Sequence, residues 1–185
     1  TMGLGYIGLP TSALIASSKI RVLGVDINKK VVNTINKGEI HIIEKDLNLA
    51  VKLAVDSGYL KASTEPEEAD VFLIVVPTPF KGNYEPDISH IESATKKIIP
   101  LLKEGDLFII ESTSPIGTTQ KMKNLIFSER KELEGKINIA YCPERVLPGN
   151  IMYELTHNDR VIGGINEDST NAAILFYKNF VKGKL

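Results

Sequence analysis

The sequence has one cysteine, no tryptophan and no excess of charge of either sign. Each shortage excludes something. A single thiol, Cys142, cannot build a disulfide framework, and sparing use of cysteine fits a reducing compartment. The formal net charge is −1 and the Lys and Arg residues are scattered, which leaves no basic stripe for a nucleic-acid backbone. No apolar run approaches the ~20 residues of a membrane span. The longest, around Val71–Val76, has the length of a buried strand. The N-terminus lacks the basic start and apolar stretch of a secretory signal, so a cytoplasmic location is expected. His41, His90 and His157 lie far apart without metal-ligand spacing, and no metal site is expected. Repeats and low-complexity segments are lacking too.

What remains is ordinary globular material. The 185 residues are 43% hydrophobic and 24% charged, enough for one packed domain. The organising pattern is strand, turn, helix, repeated. Tyr6–Ser18 reads as a buried helix and Arg21–Asp26 as a short strand. Asn28 can cap a helix running to about Lys37, with Gly38 as its stop. A helix is expected over Asp46–Ser57, a strand over Asp70–Val76, and a helix over Asp87–Lys103. Leu107–Glu111 reads as a strand, Gly117–Phe127 as a helix, and Ile137–Tyr141 and Val161–Gly163 as strands. Glu167–Phe180 reads as the last helix. Alternating strands and helices imply a parallel sheet with right-handed crossovers. A closed barrel needs roughly 250 residues, so the expected class is α/β with a doubly wound, mostly parallel sheet.

The motif that carries chemistry opens the chain. Gly3-Leu4-Gly5-Tyr6-Ile7-Gly8 matches G-x-G-x-x-G. The first glycine permits a tight turn, the second lets backbone approach a pyrophosphate, and the third lets helix and strand pack closely. The following helix then offers free N–H groups to the phosphates. Three glycines alone also describe a tight turn with no ligand. The acid adds the second half: Asp26 ends a strand about 20 residues beyond the glycines, where a carboxylate binds the adenosine ribose hydroxyls. Its plain alternative is a cap for the helix at Asn28. Together these features give a Rossmann-like dinucleotide-binding fold. The carboxylate favours NAD over NADP, because it repels a 2′-phosphate. Only Thr1 and Met2 precede Gly3, so the central first strand is expected to be truncated. Two further turns follow predicted strands, Val76-Pro77-Thr78-Pro79 and Glu111-Ser112-Thr113-Ser114-Pro115. Pro77, Thr78, Ser112 and Thr113 are candidate cofactor neighbours, or ordinary loop residues.

Seven segments give a resemblance that runs nearly end to end. They are Gly3–Pro10 (GLGYIGLP), Gly24–Asn28 (GVDIN), Asn36–Ile40 (NKGEI), Val76–Gly82 (VPTPFKG), Glu111–Gly117 (ESTSPIG), Tyr141–Gly149 (YCPERVLPG) and Asn158–Gly164 (NDRVIGG). The chain resembles the UDP-glucose/GDP-mannose dehydrogenases, and within them the bacterial UDP-N-acetyl-D-mannosamine branch. CPERVLPG separates that branch from the glucose branch, which typically has Pro-Glu-Phe-Leu there. The resemblance implies an NAD-dependent oxidation of C6 of a nucleotide sugar to a carboxylate, for surface polysaccharide synthesis. It assigns Gly3, Gly5, Tyr6, Ile7 and Gly8 to the pyrophosphate, Asp26 to the ribose, and Thr78 and Thr113 to other cofactor contacts. Glu144 matches the glutamate that activates water, and Arg145, Val146 and Leu147 match the segment lying along the nucleotide sugar. The family's nucleophilic cysteine, its catalytic lysine and asparagine, its central helix and its second nucleotide-sugar domain match nothing here. Residues 1–185 are thus expected to be the N-terminal NAD-binding domain, inactive alone, of an enzyme that the resemblance makes a homodimer.

Several residues have bland readings as well. Cys142 matches a non-nucleophilic family position and reads as a small buried hydrophobe. Glu144 without the resemblance is a surface carboxylate pairing with Arg145. A second glutamate four residues on, present in some glucose-type members, is Pro148 here. Glu129–Glu132 reads as an exposed helix end, and Tyr177 and Phe180 as packing residues. Three other functions stay open: a glucose-type dehydrogenase, an NAD-sensing module without catalysis, and an S-adenosylmethionine-dependent methyltransferase, which the two extra turns disfavour.

Overall fold

A computed structural model describes residues 1–185. Strands β1 (Val22–Val25), β2 (Leu60–Ser63), β3 (Val71–Ile74), β6 (Leu107–Ile110) and β7 (Asn138–Tyr141) are the parallel part of one sheet; β8 (Gly163–Gly164) runs antiparallel beside β7. Two-residue strands β4 (Phe80–Lys81) and β5 (Glu85–Pro86) form a separate hairpin. The helices are α1 (Gly8–Ser17), α2 (Lys29–Asn36), α3 (Leu47–Asp56), α4 (Ser89–Ile98), α5 (Thr118–Glu129), α6 (Ile151–His157) and α7 (Glu167–Tyr177). None is long and apolar enough to cross a membrane.

The strand order is β2–β1, then β3–β6–β7–β8, and a single residue joins the two groups. Met2 bridges Val25 on one side and Ile74 on the other, both in the parallel sense. Four hydrogen bonds hold it and its neighbours: Val25 N–H to the Thr1 carbonyl, Gly3 N–H to Val25, Met2 N–H to Leu73, and Val75 N–H to Met2, at 2.7–2.8 Å. Met2, just before the glycine turn, thus sits at the centre of the sheet, where the sequence placed the first strand. A cavity of about 590 Å³ lies alongside it, between Val22 and Leu23 of β1 and Val71 and Phe72 of β3.

The sheet is covered on both faces, as the continuous apolar runs of β3 and β6 require. Side chains alternate across it. Leu73, Leu107, Ile109 and Ala140 join one core cluster with α1, α3 and α7. Phe72, Ile74, Phe108, Ile110 and Ile139 join the other, against Ile91 and Ile98 of α4 and Met122 and Ile126 of α5. This is the doubly wound class.

Most predicted elements are present with trimmed ends. Asn28 caps α2 by accepting the Lys30 N–H at 3.0 Å. Helix α4 stops at Ile98 rather than Lys103, because Pro100 lacks an N–H and the chain tightens into a 3₁₀ turn at Ile99–Leu101. The strand expected at Val161–Gly163 falls on Gly163–Gly164. Strand β2, helix α6 and the β4–β5 hairpin are additions. Strand β2 reads Leu-Lys-Ala-Ser, a weak strand signal, and forms by pairing with β1. Helix α6 follows Gly149 and Asn150 with a pattern too short for periodicity to register.

Candidate functional site

Parallel pairing sets Ile74, Ile110 and Tyr141 level with one another, so their chain continuations all emerge at one edge. The glycine turn after Met2 and Asp26 after β1 emerge there as well. Ligands of open α/β sheets bind in the crevice outside these carboxyl ends.

The glycine turn has the shape its spacing predicts. A Cβ on Gly3 would lie 2.4 Å from the Val75 carbonyl oxygen, and one on Gly8 would lie 1.9 Å from the Gly3 carbonyl oxygen. Both positions are closed to any side chain by the chain's own backbone. Gly5 differs: nothing lies within 4 Å of its Cβ position. The protein itself does not require glycine there, so the open space suits close approach of a ligand. Helix α1 begins just beyond, with no side-chain cap at Ile7. Its uncapped N–H groups and dipole suit an anion. These features fit a dinucleotide pyrophosphate.

Asp26 ties two backbone segments together. Its Oδ1 accepts the Asn28 N–H at 2.9 Å, the local turn that leads into α2. Its Oδ2 accepts the Leu4 N–H at 3.1 Å, which ties it to the glycine turn. Each carboxylate oxygen keeps a second lone pair, available to a ribose hydroxyl.

Thr78 is half-buried and Pro77 exposed after β3; Thr113 is exposed after β6. Ser112 is buried, and its hydroxyl donates to the Val76 carbonyl at 2.7 Å. It staples the two strand ends together.

The segment after β7 leaves the sheet at the same edge. Cys142 is fully buried, and burial followed by the nearby Glu111 carboxylate pushes its thiol up. Such a thiol is inert. Glu144 is half-buried, makes no ion pair with Arg145, and has one carboxylate oxygen with no hydrogen-bond partner. Desolvation, then the charge of Glu111, raises its carboxyl to about 7. Arg145 and Leu147 are exposed and Val146 packs partly against the core.

Sequence reasoning did not find what lies near this segment. Glu111 and Arg160 form a buried ion pair at 3.3 Å, with side-chain exposures of 0% and 6%. The Tyr177 hydroxyl donates to the same Glu111 oxygen at 2.7 Å, and the Arg160 guanidinium lies 4.8 Å over the Tyr177 ring. Burial pushes the Glu111 carboxyl up, and Arg160 and Tyr177 oppose that shift. Tyr177 packs against Phe176 and Phe180 as expected, and adds this polar role. The clue in the sequence was a charged residue closing the apolar run Leu107–Ile110; its partners lie 49 and 66 residues away. Arg130, expected at an exposed helix end, donates to the Ile99 carbonyl at 2.8 Å. The described residues hold no group of three His, Cys, Asp or Glu that could hold a metal ion.

Comparison with known proteins gives the site its setting. The UDP-N-acetyl-D-mannosamine dehydrogenases of Yersinia pestis and Escherichia coli K12 are each 54% identical over 191 residues. The alignments take in 99% of this chain and 46% of each relative, so the chain spans just under half the length of the curated relatives it matches. A solved structure of the UDP-N-acetyl-mannosamine dehydrogenase of Staphylococcus aureus superposes with a TM-score of 0.94 at 42% identity, over 99% of this chain and 45% of that one. Residues 1–181 match the family described as "UDP-glucose/GDP-mannose dehydrogenase family, NAD binding domain", and with the glycine turn, Asp26 and the strand-end crevice in place, the chain belongs to that family as its NAD binding domain.

Proposed function

We propose that residues 1–185 are the N-terminal cofactor domain of a nucleotide-sugar 6-dehydrogenase acting on UDP-N-acetyl-D-mannosamine. The reaction takes the C6 alcohol to the uronate: two hydrides leave C6, a water oxygen enters, two NAD⁺ become two NADH, and protons are released. The observation that carries the reading is the pairing of two walls at one sheet edge. One wall is the glycine turn with Asp26, and the other is Glu144 with Arg145, Val146 and Leu147.

Gly3, Gly5, Tyr6, Ile7 and Gly8 hold the pyrophosphate, Asp26 the ribose, and Pro77, Thr78 and Thr113 the strand-end side of the cofactor, with Ser112 fixing the turn from behind. NAD⁺ supplies the hydride acceptor when bound. Glu144 takes a proton from water at its unpartnered oxygen. A carboxyl raised to about 7 by burial suits that task near neutral pH. Arg145, Val146 and Leu147 orient the nucleotide sugar. The enzyme so read works in the cytoplasm as a homodimer in polysaccharide synthesis, and this domain alone does not turn over. A second sugar has support: the Ralstonia nicotianae relative, 51% identical, is named NDP-N-acetyl-D-galactosaminuronic acid dehydrogenase. Both sugars carry an N-acetyl group.

Calorimetric titration tests the cofactor wall. NAD⁺ should bind, NADP⁺ and S-adenosylmethionine should not, and Asp26→Ala should weaken NAD⁺ binding about tenfold, the equivalent of one charge-assisted hydrogen bond. Equal affinity for NADP⁺ overturns the assignment of Asp26. The substrate wall is tested by joining this chain to the second half of the E. coli relative. NADH formation with UDP-N-acetyl-D-mannosamine at two per sugar supports the reading, and one per sugar sinks the double oxidation.

A further inference from the structure

The Arg145–Leu147 segment is exposed chain between β7 and α6, yet a distant residue fixes it. Glu44 lies in the connection between α2 and α3. Ile42 on one side of it is buried in the core and Asp46 on the other has φ 63°, a left-handed turn that opens α3. This geometry carries the Glu44 carboxylate inward, to 7% exposure. Its Oε2 accepts the Gly149 N–H at 2.9 Å and its Oε1 accepts the Ile151 N–H at 3.0 Å, across 105 and 107 residues of chain. No cation pairs with it, so the buried side chain is held by two backbone amides alone, one of them at the start of α6. Gly149 reaches this position with φ +98°.

The other end of the segment is held by α6. Glu154 accepts the Leu147 N–H at 2.9 Å, and the Asn158 side-chain amide donates to the Arg145 carbonyl at 3.2 Å. The segment is thus tethered at both ends, with Arg145 and Leu147 exposed and Val146 packed partly against the core. An order-imposing contact of this kind lowers the entropy that a ligand must otherwise remove.

We propose that Glu44 is a positioning residue for the nucleotide-sugar wall, clamping Gly149 and Ile151 so that Arg145–Leu147 are held ready for substrate. The proposal rests on the reading of that segment as substrate-facing. It places control of the sugar site in the α2–α3 connection, which follows the cofactor's ribose-binding strand.

The test uses amide hydrogen exchange and NMR on the ¹⁵N-labelled chain. Glu44→Gln keeps the shape and replaces one acceptor oxygen by a donor. Exchange at Gly149 or Ile151 should quicken about tenfold, as loss of one such hydrogen bond implies, and Arg145–Leu147 should lose order. NAD⁺ affinity should stay within twofold. A variant whose exchange quickens equally at Ile109 and Ile139 in the core has a merely structural Glu44, and the proposal fails. If the variant does not fold, the unsubstituted chain still decides. On the ¹³C,¹⁵N-labelled chain, couplings through the hydrogen bonds should join the Gly149 and Ile151 amide nitrogens to the Glu44 carboxyl carbon, and their absence overturns the clamp. Millimolar UDP-N-acetyl-D-mannosamine then separates the two ideas. Shifts at Val146 and Leu147 support positioning. With an intact clamp and no shifts, the substrate reading falls and Glu44 is only a cap.

Discussion

The two walls of the crevice are built by different means. The cofactor wall is backbone and local. Its glycines pack on carbonyls, its helix starts uncapped, and its acid lies 22 residues from the amide it accepts. The wall proposed to face the sugar is side chain and remote. Glu44 holds it from the α2–α3 connection, Glu154 and Asn158 from α6 and its C-cap, and the Glu111–Arg160 pair lies buried nearby. A phosphate has the same shape in every nucleotide, so a turn of fixed spacing suffices for it. A sugar must be told from other sugars, and that takes groups brought together from several elements.

The contrast breaks most readily at Arg160. Its guanidinium is the ion-pair partner of the buried Glu111 carboxylate. Arg160→Met leaves that charge uncompensated, which costs about 3–5 kcal/mol, while Glu111→Leu together with Arg160→Met returns much of the loss. Urea unfolding measures both. The loss should spare the chemistry of the glycine turn, so any folded fraction of Arg160→Met should bind NAD⁺ normally. An unchanged urea midpoint for the single variant would remove the buried pair from the account of this wall.

Within the cofactor wall two glycines can be set against each other. Gly8→Ala drives a methyl into the Gly3 carbonyl, and overpacking of this kind costs about 1–3 kcal/mol. Gly5→Ala meets nothing within 4 Å and should leave the thermal midpoint unaltered. Its methyl instead occupies the space offered to the pyrophosphate, so NAD⁺ affinity should fall about tenfold or more, in line with a lost close contact. The expected outcome is one variant that loses stability and one that loses only binding. If Gly5→Ala binds NAD⁺ as the unsubstituted chain does, the pyrophosphate lies elsewhere along the edge.

The same difference decides what could be read from the sequence. The doubly wound class, the glycine turn, Asp26 and the Asn28 cap are short-range patterns, and each stands where spacing and capping rules put it. Strand β2 is created by its pairing with β1, since Leu60–Ser63 has little preference of its own. Helix α6 is anchored by the Ile151 N–H on Glu44, a contact that no local window contains. Glu144 was legible as a candidate only through the segment CPERVLPG. Its environment, with Glu111 and Arg160 nearby, needed the fold. Ser112 stood in the right turn, and the structure gives its hydroxyl to Val76.

The smallest effect tests that environment directly. Glu144 is raised to about 7 from an ordinary 4.5, first by desolvation and then by Glu111. A raised carboxyl favours the protonated form in the folded state. Its contribution to stability is therefore fully present below pH 4.5 and is lost as pH rises through 7. Glu144→Gln is neutral at every pH and has no such loss. Thermal midpoints of the two proteins should run parallel below pH 4.5, diverge between 4.5 and 7 with the variant higher, and run parallel again above. Because every other group titrates in both proteins, the difference curve isolates Glu144. Adding Glu111→Gln to both should narrow the gap, since the neighbouring negative charge is then gone while the burial remains. A difference curve that is flat across this range would mean that Glu144 is solvated like a surface carboxylate, and the sugar-facing wall would lose the group proposed to take a proton from water.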